Sequence, residues 1–234
     1  GTTLTYALVS GPSAGTLNIS STGAWTFTPD SALQALAAGQ SRELSFSYSV
    51  SDGKATVTKA ATLTVTGAND APVAVTTTAA ALENAVLTGQ LSATDADATD
   101  SVGFSLVSGP AKGTLSLAAN GVYTFDPAGA FDSLADGATE NVTFVYRVTD
   151  SQGATVTQTV TVTVTGTNNA PSITATVALT TDEDTTLAGV LPGSDVDGDT
   201  LTFAIVAQPA TGTITITDAA TGAYTFTPGS AFQG

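Results

Sequence analysis

The sequence has no cysteine, no histidine and no methionine. Without cysteine there are no disulfides, no thiolate nucleophile and no thiolate zinc site. Without histidine the usual general base and the commonest transition-metal ligand are missing. Basic residues are scarce too: 5 Lys and Arg stand against 20 Asp and Glu, for a net charge of −15 over 234 residues. Nucleic-acid binding needs a basic stripe to neutralise phosphates, so nucleic acid is excluded as a partner. An anionic membrane surface repels such a chain for the same reason. No apolar run approaches the roughly 20 residues of a membrane span, and no signal peptide is visible. The small partners that suit this chain are cations.

Charged residues make up only 11% of the sequence, so the acidity is not that of a solvating tail. Thr, Ala, Val, Gly and Ser dominate. Thr and Val are β-branched and fit a pleated, half-buried surface, which points to an all-β protein. Small domains without disulfides need another staple, and a bound metal is one.

The strongest signal is an internal repeat. Gly15-Thr16-Leu17 returns as Gly113-Thr114-Leu115 and as Gly212-Thr213-Ile214. Thr26-Phe27-Thr28-Pro29 returns as Thr124-Phe125-Asp126-Pro127 and as Thr225-Phe226-Thr227-Pro228. Val65-Thr66-Gly67-Ala68-Asn69-Asp70-Ala71-Pro72 returns as Val164-Thr165-Gly166-Thr167-Asn168-Asn169-Ala170-Pro171. The offsets run from 98 residues (15 to 113) to 101 (124 to 225). The spacing divides the chain into a partial repeat at 1–72, a complete one at 73–171 and a partial one at 172–234. The first keeps its last five strands and the third its first five. The expectation is a stretch of a longer chain. A sharper alternative is that a neighbouring molecule's strands complete the partial repeats.

Alternation and turn residues divide the middle repeat into seven strands: 75–81, 85–93, 102–108, 114–118, 122–125, 141–149 and 155–165. Asn120-Gly121 is a hairpin signal. Phe144, Tyr146 and Val148 alternate with polar residues, as do Val160, Val162 and Val164. Seven short strands in about a hundred residues predict an immunoglobulin-like sandwich without its disulfide. Trp25, Tyr123 and Tyr224 share one strand slot and read as packing residues, not a ligand platform.

In an up-and-down traverse, the loop between the second and third strands returns to the end where the chain enters. The loop between the last two strands does the same. This brings Asp95, Asp97 and Asp100, Asp150, and the incoming linker residues Asn69 and Asp70 to the first junction between repeats. At the second junction it gathers Asp195, Asp197 and Asp199 with Asn168 and Asn169. Glu83 belongs to the opposite end of the middle repeat, facing that second junction. Carboxylates crowded in this way repel by roughly 3 kcal/mol per pair at about 5 Å and an effective dielectric near 20. Ca²⁺, which takes six to eight oxygens, offsets that repulsion. Asp-x-Asp suits it, because alternate loop residues can aim two carboxylates at one point.

The arrangement resembles the cadherin-like repeats of bacterial surface proteins, over essentially the whole chain. The first two repeats resemble the VCBS type, through the Val-Thr-Gly-Ala-Asn-Asp-Ala-Pro run and Phe46-Ser47-Tyr48-Ser49-Val50-Ser51-Asp52-Gly53. The third resembles the tandem cadherin-like type, through Asp182-Glu183-Asp184-Thr185-Thr186 and the Asp195–Asp199 loop. The resemblance implies tandem immunoglobulin-like (cadherin-like) seven-strand β-sandwiches with interdomain Ca²⁺. It also implies a stalk of a large secreted bacterial adhesin or biofilm matrix protein, at the cell surface or outside it. Asn169 departs from the pattern set by Asp70 and removes one charge from the second junction. The expectation is that Asp199 and Glu183 restore it.

Competing readings are weaker. The same domains could self-assemble, chain to chain, into a filament or surface layer. A carbohydrate-binding module would need an aromatic cluster in a loop, and none is present. Paired carboxylates can hydrolyse glycosides, but here they sit in repeated loops instead of one pocket, so no enzyme is expected. Asp195-Val196-Asp197-Gly198-Asp199 is not an EF-hand: its Gly comes too early and position twelve is Val206. Asp30 and Asp218 read as turn residues. Asn18-Ile19-Ser20 and Asn141-Val142-Thr143 match the glycosylation sequon, a weak signal.

Overall fold

The computed structural model describes residues 3–173 and 178–230. The first repeat forms β1 (Thr5–Ser10), β2 (Thr16–Ile19), β3 (Trp25–Thr28), β4 (Ser41–Ser51) and β5 (Thr56–Thr66). They make a three-stranded sheet in the order β1-β4-β5 and a hairpin of β2 with β3. The middle repeat follows with β6 (Val73–Ala74), β7 (Thr78–Leu82), β8 (Leu87–Gln90), β9 (Ala93–Thr94), β10 (Gly103–Ser108), β11 (Thr114–Leu117), β12 (Val122–Asp126), β13 (Thr139–Thr149) and β14 (Thr155–Thr165). The third contributes β15 (Leu187–Val190), β16 (Thr213–Asp218) and β17 (Ala223–Thr227), in the order β15-β17-β16. The fold is all-β, as the composition predicts.

The middle repeat is a sandwich of β10-β13-β14-β7 on β11-β12-β8, with β6 and β9 as an added pair. Its long strands alternate because one face is buried. Phe144, Tyr146 and Val148 of β13 and Val160, Val162 and Val164 of β14 have no exposure. Phe125 (0%), Phe131 (1%) and Leu91 (1%) meet them from the other side. Aromatic rings interlock across the gap, with Tyr123 and Phe144 5.3 Å apart between centroids. Such tilted pairs add to the burial of their area.

Two expected strands divide. The run predicted at 75–81 splits because the chain changes sheets. β6 pairs antiparallel with β9, then β7 crosses over to run parallel to β14. The Tyr146 hydroxyl donates to Val75 O at 3.1 Å, inside the crossing. The run predicted at 85–93 likewise becomes β8, which pairs with β12, and β9. Each sheet gains an edge strand this way, so fewer backbone groups are left open.

The shared aromatic slot holds in two repeats only. Tyr123 and Tyr224 are buried, while Trp25 is 59% exposed. A Cβ on Gly89 would lie 2.3 Å from Tyr123, and one on Gly189 2.8 Å from Tyr224. These glycines, on the neighbouring strands β8 and β15, form the floor under the rings. Among the described residues β3 pairs with β2 alone, so Trp25 lacks that floor.

Strand ends fix the linkers. Val73 pairs with Thr94, which sets the incoming chain beside Asp95. Ser172 bridges Ser194 and does the same beside Asp195. Gly166 passes so close to the preceding loop that a Cβ there would lie 2.4 Å from Ala135 O. Gly67 makes the same approach to Leu36 O. The glycine of the repeated Val-Thr-Gly run is therefore what lets each repeat's last strand lie against its own loop before the linker begins.

Candidate metal centre

At the first junction the structure brings together Asn69, Asp70, Asp95, Asp97, Asp100 and Asp150. Asp97 and Asp150 are buried, at 2% and 6% exposure. Carboxylate oxygens of Asp95, Asp100 and Asp150 lie within 4.8 Å of one another. Two oxygens on one Ca²⁺ can be no more than about 5 Å apart, twice the metal–oxygen distance.

Backbone donors shape the cluster. Asp95 Oδ1 accepts from Asp97 N at 2.9 Å, turning the loop so that Asp97 points inward. Asp97 Oδ2 accepts from Asp70 N at 2.9 Å, which ties the linker to the loop. Asp150 Oδ1 accepts from Gln152 N and Ala154 N at 2.9 and 2.8 Å, closing the β13–β14 turn. Its Oδ2 accepts from Asn69 Nδ2 at 2.8 Å. The Asn69 bond, helped by the turn amides and opposed by burial, holds the Asp150 carboxyl below its ordinary range. Ala98 N reaches Ala35 O of the first repeat at 3.4 Å, so the contact spans the junction.

The remaining oxygens decide what the cluster can do. Asn69 Oδ1, Asp95 Oδ2, Asp97 Oδ1 and Asp100 Oδ2 are buried and have no hydrogen-bond partner. An unpartnered buried polar oxygen is costly, and three carboxylates and one amide at this junction each carry one. An oxygen-only donor set fits a hard cation and no soft one.

At the second junction the set is different. Asp195, Asp197 and Asp199 place oxygens within 4.8 Å of one another. Asp195 Oδ1 accepts from Asp197 N at 2.9 Å, as at the first junction. Glu83, 1% exposed, does reach this junction from the far end of the middle repeat. Its Oε1 accepts from Thr167 Oγ1 and Asn169 Nδ2, both at 3.1 Å. Asn168 is exposed and donates to Asn169 O. Glu183 is not brought to this cluster. It is exposed, beside Asp182, Phe226 and Pro228. The pairing of Leu187 with Phe226 sets it at the other end of the third repeat from the Ser172–Ser194 bridge. It occupies there the position that Glu83 holds in the middle repeat, so it does not restore charge at the second junction. Asp132 is the participant that motif reading passed over: its backbone O accepts from Asn169 Nδ2 at 3.2 Å.

Family comparison agrees with this architecture. Residues 1–66 and 168–234 match the bacterial Ig domain model, and residues 69–166 match the bacterial cadherin-like domain model. The chain belongs to the bacterial Ig-domain family. Within this Ig-domain chain, the cadherin-like match coincides with the repeat that carries Asp95, Asp97, Asp100 and Asp150. Solved structures show the same fold. Mouse cadherin-23 EC22-24 shares 16% identity at a TM-score of 0.55, over 97% of this chain and 76% of that one. The protocadherin gammaB4 extracellular domain shares 14% at 0.51, over 97% of this chain and 40% of that one. Protocadherin gammaB7 EC3-6 shares 15% at 0.52, over 96% and 58%. The chain thus spans less than half the length of the gammaB4 ectodomain. A search of curated proteins returns no match.

Proposed function

We propose that this chain is a stalk segment of a large secreted adhesin or matrix protein, stiffened by calcium at the junctions between its repeats. Bacterial Ig and cadherin-like domains are adhesion or structural extracellular modules, and typically not enzymes. The three stretches 1–72, 73–171 and 172–234 would act as successive units, each partnered by its neighbour. The observation that carries the reading is the set of four unpartnered oxygens at the first junction.

Asn69, Asp95, Asp97, Asp100 and Asp150 would hold the cation there, with Asp70 contributing charge. Such an ion would supply positive charge against these oxygens. The chain's own residues do the rest. Asp97 fixes the linker through Asp70 N, Asp150 orients Asn69, and Pro72 narrows the linker's conformational range. Without a cation, repulsion among the carboxylates favours no single angle.

Calcium titration by calorimetry, paired with scattering in calcium and in chelator, tests this. Saturable binding in the ~10⁻⁶ to 10⁻³ M range with a longer, stiffer particle is expected. No binding and no change in dimensions would overturn it, and assembly into filaments through lateral contacts would become the leading reading.

A further inference from the structure

The two junctions differ at one aligned position, and the difference changes what fills the space between the carboxylates. Asp70 at the first junction becomes Asn169 at the second. The Asn169 amide nitrogen donates to Glu83 Oε1 at 3.1 Å, to Asp197 Oδ1 at 3.1 Å and to Asp132 O at 3.2 Å. These oxygens come from both sides of the junction: Glu83 and Asp132 from the middle repeat, Asp197 from the third. The Asn169 backbone N–H takes the other Asp197 oxygen. Asp197 is thereby satisfied at both oxygens, whereas its counterpart Asp97 keeps a bare Oδ1. Among the described residues, Glu83 Oε2 is the one buried side-chain oxygen at the second junction without a partner, against four at the first.

We infer that the Asn169 amide takes the place of one cation, so that the second junction stays closed without calcium while the first does not. A donor surrounded by three oxygens does locally what an ion would do: it carries partial positive charge into a pocket of acceptors and links two repeats through them. Reversing the amide would set its oxygen against two carboxylates and a carbonyl, so the donor orientation is the one this network selects. Replacing Asp with Asn also lowers the negative charge that a cation must answer. The inference rests on calcium being the stiffening ion at the first junction.

The absence of cysteine permits clean paired spin labelling on the full chain. Labels at Thr64→Cys with Thr159→Cys report the first junction. Labels at Thr159→Cys with Thr215→Cys report the second. All three positions are exposed on strands. In chelator, the first distance distribution should be broad and the second narrow; calcium should narrow the first and leave the second unchanged. Equal broadening of both in chelator would overturn the inference while leaving calcium stiffening intact. Two distributions that ignore calcium, both narrow throughout, would overturn the inference together with calcium stiffening. In Asn169→Asp, the second distribution should broaden in chelator and narrow again with calcium. In Asn169→Ala it should broaden in chelator. If both variants stay narrow there, the amide is not the lock.

Discussion

The two junctions use the same loop geometry to different ends. Each begins with an Asp whose Oδ1 accepts from the backbone N–H two residues on, and each ties its linker N–H to the second Asp of the loop. At the first junction this scaffold collects charge and leaves oxygens bare. At the second the Asn169 amide and backbone N–H satisfy both Asp197 oxygens and bridge them to Glu83. One functional group, in a shared backbone, separates a cluster with bare oxygens from a contact bridged by an amide.

The largest expected effect separates the two second-position aspartates. Asp97→Ala should weaken calcium binding at the first junction about 100-fold, equivalent to about 2.7 kcal/mol. Asp197→Ala should leave that binding step untouched and instead loosen the second junction in chelator. Calorimetry and labelled distances read the two effects; the same loss of affinity from either variant would erase the contrast.

Calcium itself should have an effect of the same size. At a free concentration about a hundredfold above its dissociation constant, one ion adds about 2.7 kcal/mol to the folded state. A thermal melt should therefore shift downward in chelator, and Asp97→Ala should remove most of that shift. A melt that does not move would mean that the bare oxygens find another answer, such as water.

Glu83→Gln should be milder. It turns two charge-assisted bonds, from Thr167 and Asn169, into neutral ones, for a loss of about 1 kcal/mol at the second junction. Stability of the chelated chain measures it, and a gain in stability would show that the buried charge was a burden. The smallest effect concerns pH. Asp150 titrates below its ordinary value when folded, so it stabilises the fold above the unfolded carboxylate pKa of about 3.9, and that contribution fades as pH falls through the lower folded value. In chelator, Asp150→Asn should show a shallower acid loss of stability than the parent chain; an identical acid limb would remove Asp150 from that account.

Much of this was legible in the residues. Periodicity gave β10 to β14 nearly to the residue, because a buried face forces strict alternation. The parity of an up-and-down traverse was enough to gather Asp95, Asp97, Asp100 and Asp150 with Asn69 and Asp70. Three features escape a local reading in whole or in part. The sheet change between β6 and β7 follows from edge closure, a property of the whole sandwich that no local pattern carries. Glu183 lies away from the second junction because it holds in the third repeat the place that Glu83 holds in the middle one, and a resemblance of motif does not say which end of a repeat a residue faces. The Asn169 network was half visible: the substitution stands out in the sequence, but only distances show that its amide reaches three acceptors. Gly89 and Gly189 did carry a readable signal, since a glycine inside a strand marks close approach, here by Tyr123 and Tyr224.

The parallel pairing of β7 with β14 has a mechanical meaning. Five residue pairs, Thr161 with Thr78 through Thr165 with Leu82, join β7, which follows the short β6 after the incoming linker, to the strand just before the outgoing one. Tension along the chain pulls β7 backward at its start and β14 forward at its end. The ladder bonds lie across that pull, so they must slide and fail together instead of opening one by one. A middle repeat stretched between two beads should thus hold to a single high-force rupture, and Ala80→Pro, which disturbs the ladder, should lower that force far more than it lowers thermal stability. Flow and drag would then meet their resistance in a patch only five residues long.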